Sequence, residues 1–192
     1  MHTSDLTLVI PSYNRAHLIA ETVQSALDQT VPFAEIIVVD DASSDDTLAV
    51  LQGFGAAITV IASGKAGVQG VRNKGVEAAR STYITLCDSD DLLDSRYVET
   101  MSKYLATHPQ CDSVYTNFST FGDVANIGDK FAQAPTGYYD GAIQKDGFLS
   151  NVPDLYIKSA RFQPLFPTGL TMRKQVYQAL GGFNPLFNGV GS

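Results

Sequence analysis

The chain has 192 residues, of which 44% are hydrophobic, and its mean hydropathy is close to zero. Such a chain is long enough to bury a sizeable core and is typical of one globular domain. Its net charge of −7 argues against nucleic-acid binding, which requires a basic surface. The sequence shows no signal-peptide pattern and no run of about 18 apolar residues, so we expect a cytoplasmic protein, free or associated with the inner face of a membrane.

Short β-prone runs alternate with helical patterns in the first half of the chain. In residues 16–29 apolar side chains recur at helical spacing, and Asn14 is the predicted N-cap of this helix. Strands that alternate with helices predict βαβ units and a mainly parallel sheet covered on both faces. The predicted strands are 6–10, 35–39, 57–61 and 83–86. The later helices are predicted to begin at Ser43 or Ser44 and to cover 68–80 and 96–107.

The pattern changes after about Asn117. Residues 120–140 predict loops and irregular strands, and residues 146–161 predict one or two short helices. A strand over 168–172 and a helix over 173–180 follow, closed by Gly181 and Gly182. We expect a single domain, 1–192, made of two halves, 1–117 and 118–192.

Three polar clusters follow predicted strands, at 11–14, 40–43 and 88–91. The last cluster holds three carboxylates within four residues. Like charges at this density are tolerated if water screens them or a cation neutralises them. Asp88 and Asp90 have the spacing of a chelate for Mg²⁺ or Mn²⁺, which keep positions open for phosphate oxygens. The alternative is a solvated acidic turn. Parallel sheets bind ligands beyond the carboxyl ends of their strands, where these three clusters lie.

The ordered set of motifs resembles family 2 glycosyltransferases, the inverting enzymes with the GT-A fold. This resemblance implies an α/β, Rossmann-like three-layer sandwich with a mainly parallel central sheet. It also implies that residues 1–117 form the nucleotide-binding half and that residues 118–192 form an incomplete acceptor-side half. The matching segments are 9–15, 25–30, 35–47, 67–75, 88–91, 169–173 and 181–184.

The resemblance implies roles at the nucleotide end of the site. Tyr13 would lie against the nucleobase, with Pro11 shaping the turn, and the alternative is that Tyr13 packs on the first helix. Asp41 would accept a hydrogen bond from the imide N–H of uracil or thymine. One aspartate of its acidic pair is expected to cap or brace the loop instead. Arg72 and Asn73 would hold the nucleotide side of the pocket, although Arg72 fits a solvated helix position equally well.

The acidic cluster corresponds to the DxD motif of the family. Asp88 would contact the ribose or the metal, and Asp90 would bind the Mn²⁺ or Mg²⁺ that bridges the donor diphosphate. Asp91 would support the metal site or contact the sugar, and Ser89 is counted with the nucleotide-sugar site. The metal would stabilise the leaving nucleoside diphosphate.

The implied reaction is inverting transfer of a sugar from a UDP- or dTDP-sugar to a saccharide or glycan acceptor. This reaction needs a general base. In the family the base lies in an acidic pair shortly after the Gly-Gly-Phe segment, yet no Asp or Glu follows Asp154 here. We therefore expect the base to lie beyond Ser192, in a catalytic domain truncated near its end, or the chain to be a natural variant. The alternative function is a non-catalytic nucleotide-sugar-binding module, and a nucleotidyltransferase is less favoured because a Gly/Lys-rich loop after the first strand is missing.

Overall fold

The computed structural model describes residues 4–121 and 128–187. Two stretches with sequence expectations, 122–127 in the predicted loop region and 188–192 at the chain end, lie outside the described residues. The contacts divide the chain into two compact units. Unit 1 takes the described residues up to Val114 and from Pro167 onward, and unit 2 takes those from Tyr115 to Phe166. The prediction of one domain in two halves stays a prediction.

The strands within the described residues form one six-stranded sheet and one hairpin. They are β1 (Leu6–Ser12), β2 (Glu35–Asp40), β3 (Thr59–Ala62), β4 (Tyr83–Leu86), β5 (Ser113–Tyr115), β6 (Ile143–Lys145), β7 (Phe148–Ser150) and β8 (Leu170–Arg173). The order in the sheet is β3-β2-β1-β4-β8-β5. The first four strands are parallel, and β8 runs antiparallel to β4. This arrangement confirms the predicted α/β fold with a mainly parallel central sheet.

The helices are close to the predicted ones but begin at different residues. They are α1 (Ile19–Leu27), α2 (Thr47–Gln52), α3 (Gly67–Ala78), α4 (Tyr97–Thr107), α5 (Leu155–Ser159) and α6 (Lys174–Ala179). The predicted N-cap is wrong, because Leu18 precedes α1 and Asn14 adopts φ +51° in the preceding loop. There its side-chain oxygen accepts a hydrogen bond of 2.8 Å from the Ser44 N–H. Since this bond holds Ser44 in a loop, α2 begins later than predicted.

Strand β1 is buried along its whole length, because β2 and β4 flank it and α3 covers it. Helix α3 approaches the sheet closely at Gly75. A Cβ atom at this position would collide with the Val9 side chain and would lie 3.1 Å from the Val39 side chain. Glycine is therefore required here by the close approach of helix and sheet.

We expect Gly75→Ala to lower the free energy of unfolding by about 1–2 kcal/mol. Overpacking of a filled core costs about 1–3 kcal/mol, and the better helix propensity of alanine offsets up to about 1 kcal/mol of that. Urea denaturation measures the effect. Gly64→Ala is the control, because a Cβ there meets nothing within 4 Å, and it should change stability by less than about 0.5 kcal/mol. Equal stabilities of the two variants would contradict this packing.

Unit 2 contains a 3₁₀ turn over Phe131–Gln133, the antiparallel β6–β7 hairpin and helix α5. Its buried aromatic residue is Tyr138, whose ring makes edge contacts with Tyr139 and Phe162. The Tyr138 hydroxyl donates to the Phe162 carbonyl oxygen over 3.0 Å. Across residues 4–121 and 128–187, the structure has no helix with the length and apolar character needed to cross a bilayer.

Candidate active site at the carboxyl edge of the sheet

The carboxyl ends of β1, β2 and β4 meet where the strand order reverses. Strand β1 leads through α1 to β2 on one side, and β4 pairs with β1 on the other side. The Asp41 N–H donates to the Ser12 carbonyl over 2.8 Å, and the Cys87 N–H donates to the Val9 carbonyl over 3.2 Å. All three polar clusters therefore lie at one edge, the edge at which open α/β sheets bind ligands.

Asp40 is fully buried and braces the loop after β2. Its carboxylate accepts hydrogen bonds from the Ser43 N–H, at 2.9 Å, and from the Ser43 hydroxyl, at 2.5 Å. The Ser43 hydroxyl oxygen accepts a hydrogen bond from the Asn14 N–H over 2.9 Å. These donors compensate the cost of burying a carboxylate, and they tie the loop after β1 to the loop after β2.

Asp41 is also buried, and its carboxylate faces the amino end of α3. It accepts a hydrogen bond of 2.5 Å from the Ala66 N–H and bonds of 3.1 and 3.2 Å from the Gly67 N–H. The Lys65 ammonium lies 3.2 Å from its other oxygen. A carboxylate has about four lone-pair positions, so these contacts leave little free acceptor capacity. The proposed contact between Asp41 and a base imide stays a prediction, and it requires Lys65 to move.

Tyr13 is 44% exposed, as a stacking surface requires. It does not present an empty face, because the Lys65 Nζ atom lies 2.9 Å from the centroid of its ring. A cation over an aromatic face is attracted by the ring quadrupole. One ammonium group thus contacts both residues that were predicted to read the nucleobase.

Arg72 and Asp88 form an ion pair that is buried on the arginine side. The Arg72 Nη2 atom lies 2.5 Å from Asp88 Oδ1, and the two side chains are 5% and 33% exposed. Nη1 donates to the Gln69 side-chain oxygen over 3.2 Å, and the guanidinium lies 5.4 Å from the Phe183 ring centroid. The alternative that Arg72 is a solvated helix residue is therefore wrong. Its proposed nucleotide contact stays a prediction.

Asn73 holds the segment after α6 against α3. Its side-chain N–H donates to the Phe183 carbonyl over 2.8 Å, and its side-chain oxygen accepts from the Phe183 N–H over 3.0 Å. The Tyr177 hydroxyl donates to the same oxygen over 2.6 Å. These contacts use the amide group, so Asn73 acts on the Arg72 environment through Phe183. A direct contact of Asn73 with a nucleotide stays a prediction.

Asp90 is the most open carboxylate of the acidic cluster, with its side chain 44% exposed. Its contact is an ion pair with Arg15, whose Nη2 atom lies 3.5 Å from Asp90 Oδ2. No group of three or more metal-ligating side chains occurs within residues 4–121 and 128–187. The two carboxylates of Asp88 and Asp90 fit Mg²⁺ or Mn²⁺, which are commonly held by one or two carboxylates and by substrate phosphates.

Thr168 connects Asp88 and Asp91, which sequence reasoning did not anticipate. Its hydroxyl accepts from the Asp88 N–H over 2.9 Å and donates to Asp91 Oδ2 over 2.5 Å. Burial and the charges of Asp88 and Asp90 raise the pKa of the Asp91 carboxyl, while the Thr168 hydrogen bond opposes that rise. Ser89 is buried. Asp91 therefore faces inward and supports the loop that presents Asp88 and Asp90.

We expect Thr168→Val to lower the free energy of unfolding by about 1–2 kcal/mol and to weaken metal-dependent nucleotide binding. The substitution leaves a part-buried N–H without its acceptor and a carboxylate without its donor, and each such loss costs about 1 kcal/mol. Urea denaturation and titration calorimetry measure the two effects. Thr168→Ser keeps the hydroxyl and should behave like the wild type, whereas wild-type behaviour of the valine variant would rule out this bridging role.

Comparison with known proteins places the chain in a family. The family model described as glycosyl transferase family 2 matches residues 7–154. The chain belongs to this family. The glycosyltransferase is 32% identical over 189 residues to TuaG of Bacillus subtilis, a proposed teichuronic acid biosynthesis glycosyltransferase, in a match that covers 92% of this chain and 75% of TuaG.

Solved structures confirm the GT-A fold of this glycosyltransferase. TarS of S. aureus, crystallised in complex with UDP, has a TM-score of 0.72 at 18% identity, and the match covers 96% of this chain and 52% of that one. The mannosyltransferase PcManGT from Pyrobaculum calidifontis, in complex with GDP-Man and Mn²⁺, has a TM-score of 0.59 at 20% identity, with coverages of 96% and 49%. The chain thus spans about half the length of these two structures.

Three residues that contact the candidate site residues were not anticipated from the sequence. Arg15 lies within a motif that supported the family resemblance, so it had a sequence signal that was not used. Lys65 lies two residues before the start of α3, where a loop cation can reach the sheet edge. Thr168 had no signal, because its contact with Asp91 spans 77 residues of sequence.

Proposed function

We propose that this glycosyltransferase binds a UDP- or dTDP-sugar together with Mn²⁺ or Mg²⁺ and transfers the sugar to a saccharide or glycan acceptor with inversion. The observation that carries the proposal is the gathering of Tyr13, Asp41 and the acidic loop of Asp88 and Asp90 at one sheet edge. An aromatic face and a buried carboxylate suit a base, and the carboxylates of Asp88 and Asp90 suit a ribose and a metal-bound diphosphate. The UDP named for TarS and the Mn²⁺ named for PcManGT support this reading.

The charges at the site support binding of a diphosphate. Three carboxylates assigned to the ligand are each paired with a basic side chain, Asp41 with Lys65, Asp88 with Arg72, and Asp90 with Arg15. Arg15 and Arg72 are therefore placed beside the acidic loop, where a donor phosphate would arrive. When bound, the metal would stabilise the negative charge of the leaving nucleoside diphosphate.

An unpaired hydroxyl also supports a ligand at this edge. Ser12 ends β1, is 3% exposed, and its Oγ has no hydrogen-bond partner within residues 4–121 and 128–187. A buried hydroxyl without a partner costs free energy. A nucleotide at the carboxyl end of β1 would give this group a partner.

We expect UDP and dTDP to bind at least about tenfold more tightly than ADP. The Asp41 carboxylate accepts a hydrogen bond from the imide N–H of uracil or thymine, whereas adenine presents a lone pair at the corresponding ring nitrogen. Two facing acceptors leave a buried polar group unpaired, which costs about 1–3 kcal/mol. Competition calorimetry with UDP, dTDP, GDP and ADP, in the presence of Mn²⁺, measures the order. Equal or tighter binding of ADP would reject the role of Asp41.

Turnover separates an enzyme from a non-catalytic binding module. Incubation with UDP-sugars and oligosaccharide acceptors, followed by NMR of the new glycosidic bond, reports both transfer and its stereochemistry. Product with the inverted anomeric configuration supports the proposal, and product with the retained configuration rejects inversion.

A further inference from the structure

Lys65 occupies the volume that a nucleobase would need. Its ammonium lies 2.9 Å from the Tyr13 ring centroid and 3.2 Å from Asp41 Oδ2. A base that stacks on this face of Tyr13 and also donates to Asp41 must displace the ammonium. Lys65 is 56% exposed on its side chain, so this movement is not blocked by packing.

The backbone keeps the displaced ammonium near the base. The next residue, Ala66, donates its N–H to Asp41 over 2.5 Å, and Gly67 donates to both oxygens of the same carboxylate. The Lys65 Cα is therefore fixed beside Asp41, and its side chain swings within a limited radius. An ammonium donor thus remains next to a carboxylate acceptor when the base is bound.

This neighbouring donor and acceptor match the edge of uracil. The imide N–H of uracil is flanked by carbonyl oxygens, so a base that donates to Asp41 presents a carbonyl oxygen beside that bond. Cytosine keeps one of these carbonyls, but it presents a ring lone pair in place of the imide N–H and an amino group in place of the other carbonyl. An ammonium has donors and no acceptor, so it can serve the uracil carbonyl but not the cytosine amino group.

We propose that Lys65 is a specificity-determining residue that donates to the uracil O4 carbonyl, the one that cytosine replaces with an amino group, after moving from the face of Tyr13. The inference rests on the proposed binding of a UDP-sugar and deepens it. In the absence of ligand the same ammonium neutralises Asp41 and covers the aromatic ring. When the base binds, the Lys65 ammonium leaves Tyr13 and Asp41 and donates to the base carbonyl. Asp41 then accepts a hydrogen bond from the imide N–H in place of the contact with Lys65.

The test compares the affinities of UDP and CDP for wild type, Lys65→Met and Lys65→Arg by calorimetry with Mn²⁺ present. We expect Lys65→Met to weaken UDP binding about tenfold and to change the affinity for CDP by less than about twofold. The ratio of the two affinities should therefore fall by about fivefold or more. Tenfold is the lower end for a hydrogen bond with a charged donor, as suits a half-exposed side chain. Lys65→Arg keeps a donor and should retain most of the ratio. Lys103→Met is the charge-matched control, because Lys103 is 73% exposed and pairs with Glu99 within α4.

The ratio separates this role from the other roles that Lys65 could have. Equal weakening of UDP and CDP by Lys65→Met would show that Lys65 contacts the phosphates, and equal strengthening would show that it only blocks Tyr13. Either result, or an unchanged ratio in a protein that prefers UDP, overturns the inference alone. Failure of the wild type to bind UDP, or to prefer it to CDP and ADP, overturns the proposed function and this inference together.

Discussion

Replacing Asp90 with asparagine is expected to abolish the strengthening of UDP binding by Mn²⁺. Asp90 carries the open carboxylate of the acidic loop, and Asp88 is engaged by Arg72. Substitutions that only disturb the support of a metal ligand cost about 10–100-fold in metal affinity, so loss of a ligand should cost at least about 100-fold. UDP alone should bind Asp90→Asn no more weakly than the wild type, because the substitution frees Arg15 and removes a negative charge near the diphosphate.

Calorimetry of UDP with and without Mn²⁺, together with Mn²⁺ electron paramagnetic resonance, measures both parts of this expectation. The control is Asp46→Asn, the same change of a carboxylate to an amide in the loop after β2, where Asp46 makes no side-chain capping bond. The control should keep the full Mn²⁺ enhancement. If Asp90→Asn also keeps it, the metal is bound elsewhere or UDP binding does not depend on it.

Arg72→Met is expected to lower the free energy of unfolding by about 2–3 kcal/mol and to weaken UDP binding. Removal of one partner from a buried ion pair costs about 3–5 kcal/mol, and the smaller figure applies here because Asp88 is 33% exposed and is partly screened by water. The methionine keeps most of the packing against Phe183, so the loss reports the charge and the hydrogen bonds.

Urea denaturation compares Arg72→Met with Arg96→Met, in which an exposed arginine loses a 3.9 Å pair with Asp94. Both side chains of that pair are 73% exposed, so the control should change stability by less than about 0.5 kcal/mol. Arg72→Lys should fall between wild type and methionine, since it keeps the charge but loses the planar guanidinium. A methionine variant as stable as the control would show that the Arg72–Asp88 pair contributes little to the fold.

The strands and helices of the first half were predicted because their patterns are local. The apolar run of β1 and the helical spacing in α1 and α3 mark these elements without reference to the rest of the chain. The start of α1 was missed because Asn14 binds Ser44 of another loop, a contact that no local pattern contains. The position of β3 was shifted because Gly55–Ala57 forms a 3₁₀ turn before it.

The meeting of the three polar clusters at one sheet edge was predicted, but the contacts that their side chains make were not. Because the carboxyl ends of parallel strands lie at one edge of a sheet, Tyr13, Asp41 and the acidic loop could be assigned to that edge without any knowledge of side-chain positions. The partners Lys65 and Thr168 depend on contacts between segments that are distant in sequence. The roles of Asp41 and Asn73 were assigned from contacts with a nucleotide, whereas the structure shows the contacts that these side chains make within the protein.

The antiparallel pairing of β8 with β4 has a consequence for the tolerance of insertions and deletions between these two strands. Thr85 pairs with Thr171, and all of unit 2 lies between them in the sequence. The entropy of closing a flexible loop depends on the logarithm of its length, so a doubling of the intervening segment costs only about 0.6 kcal/mol. Insertions or deletions within residues 115–166 should therefore cost little free energy of closure at the pairing of β4 with β8.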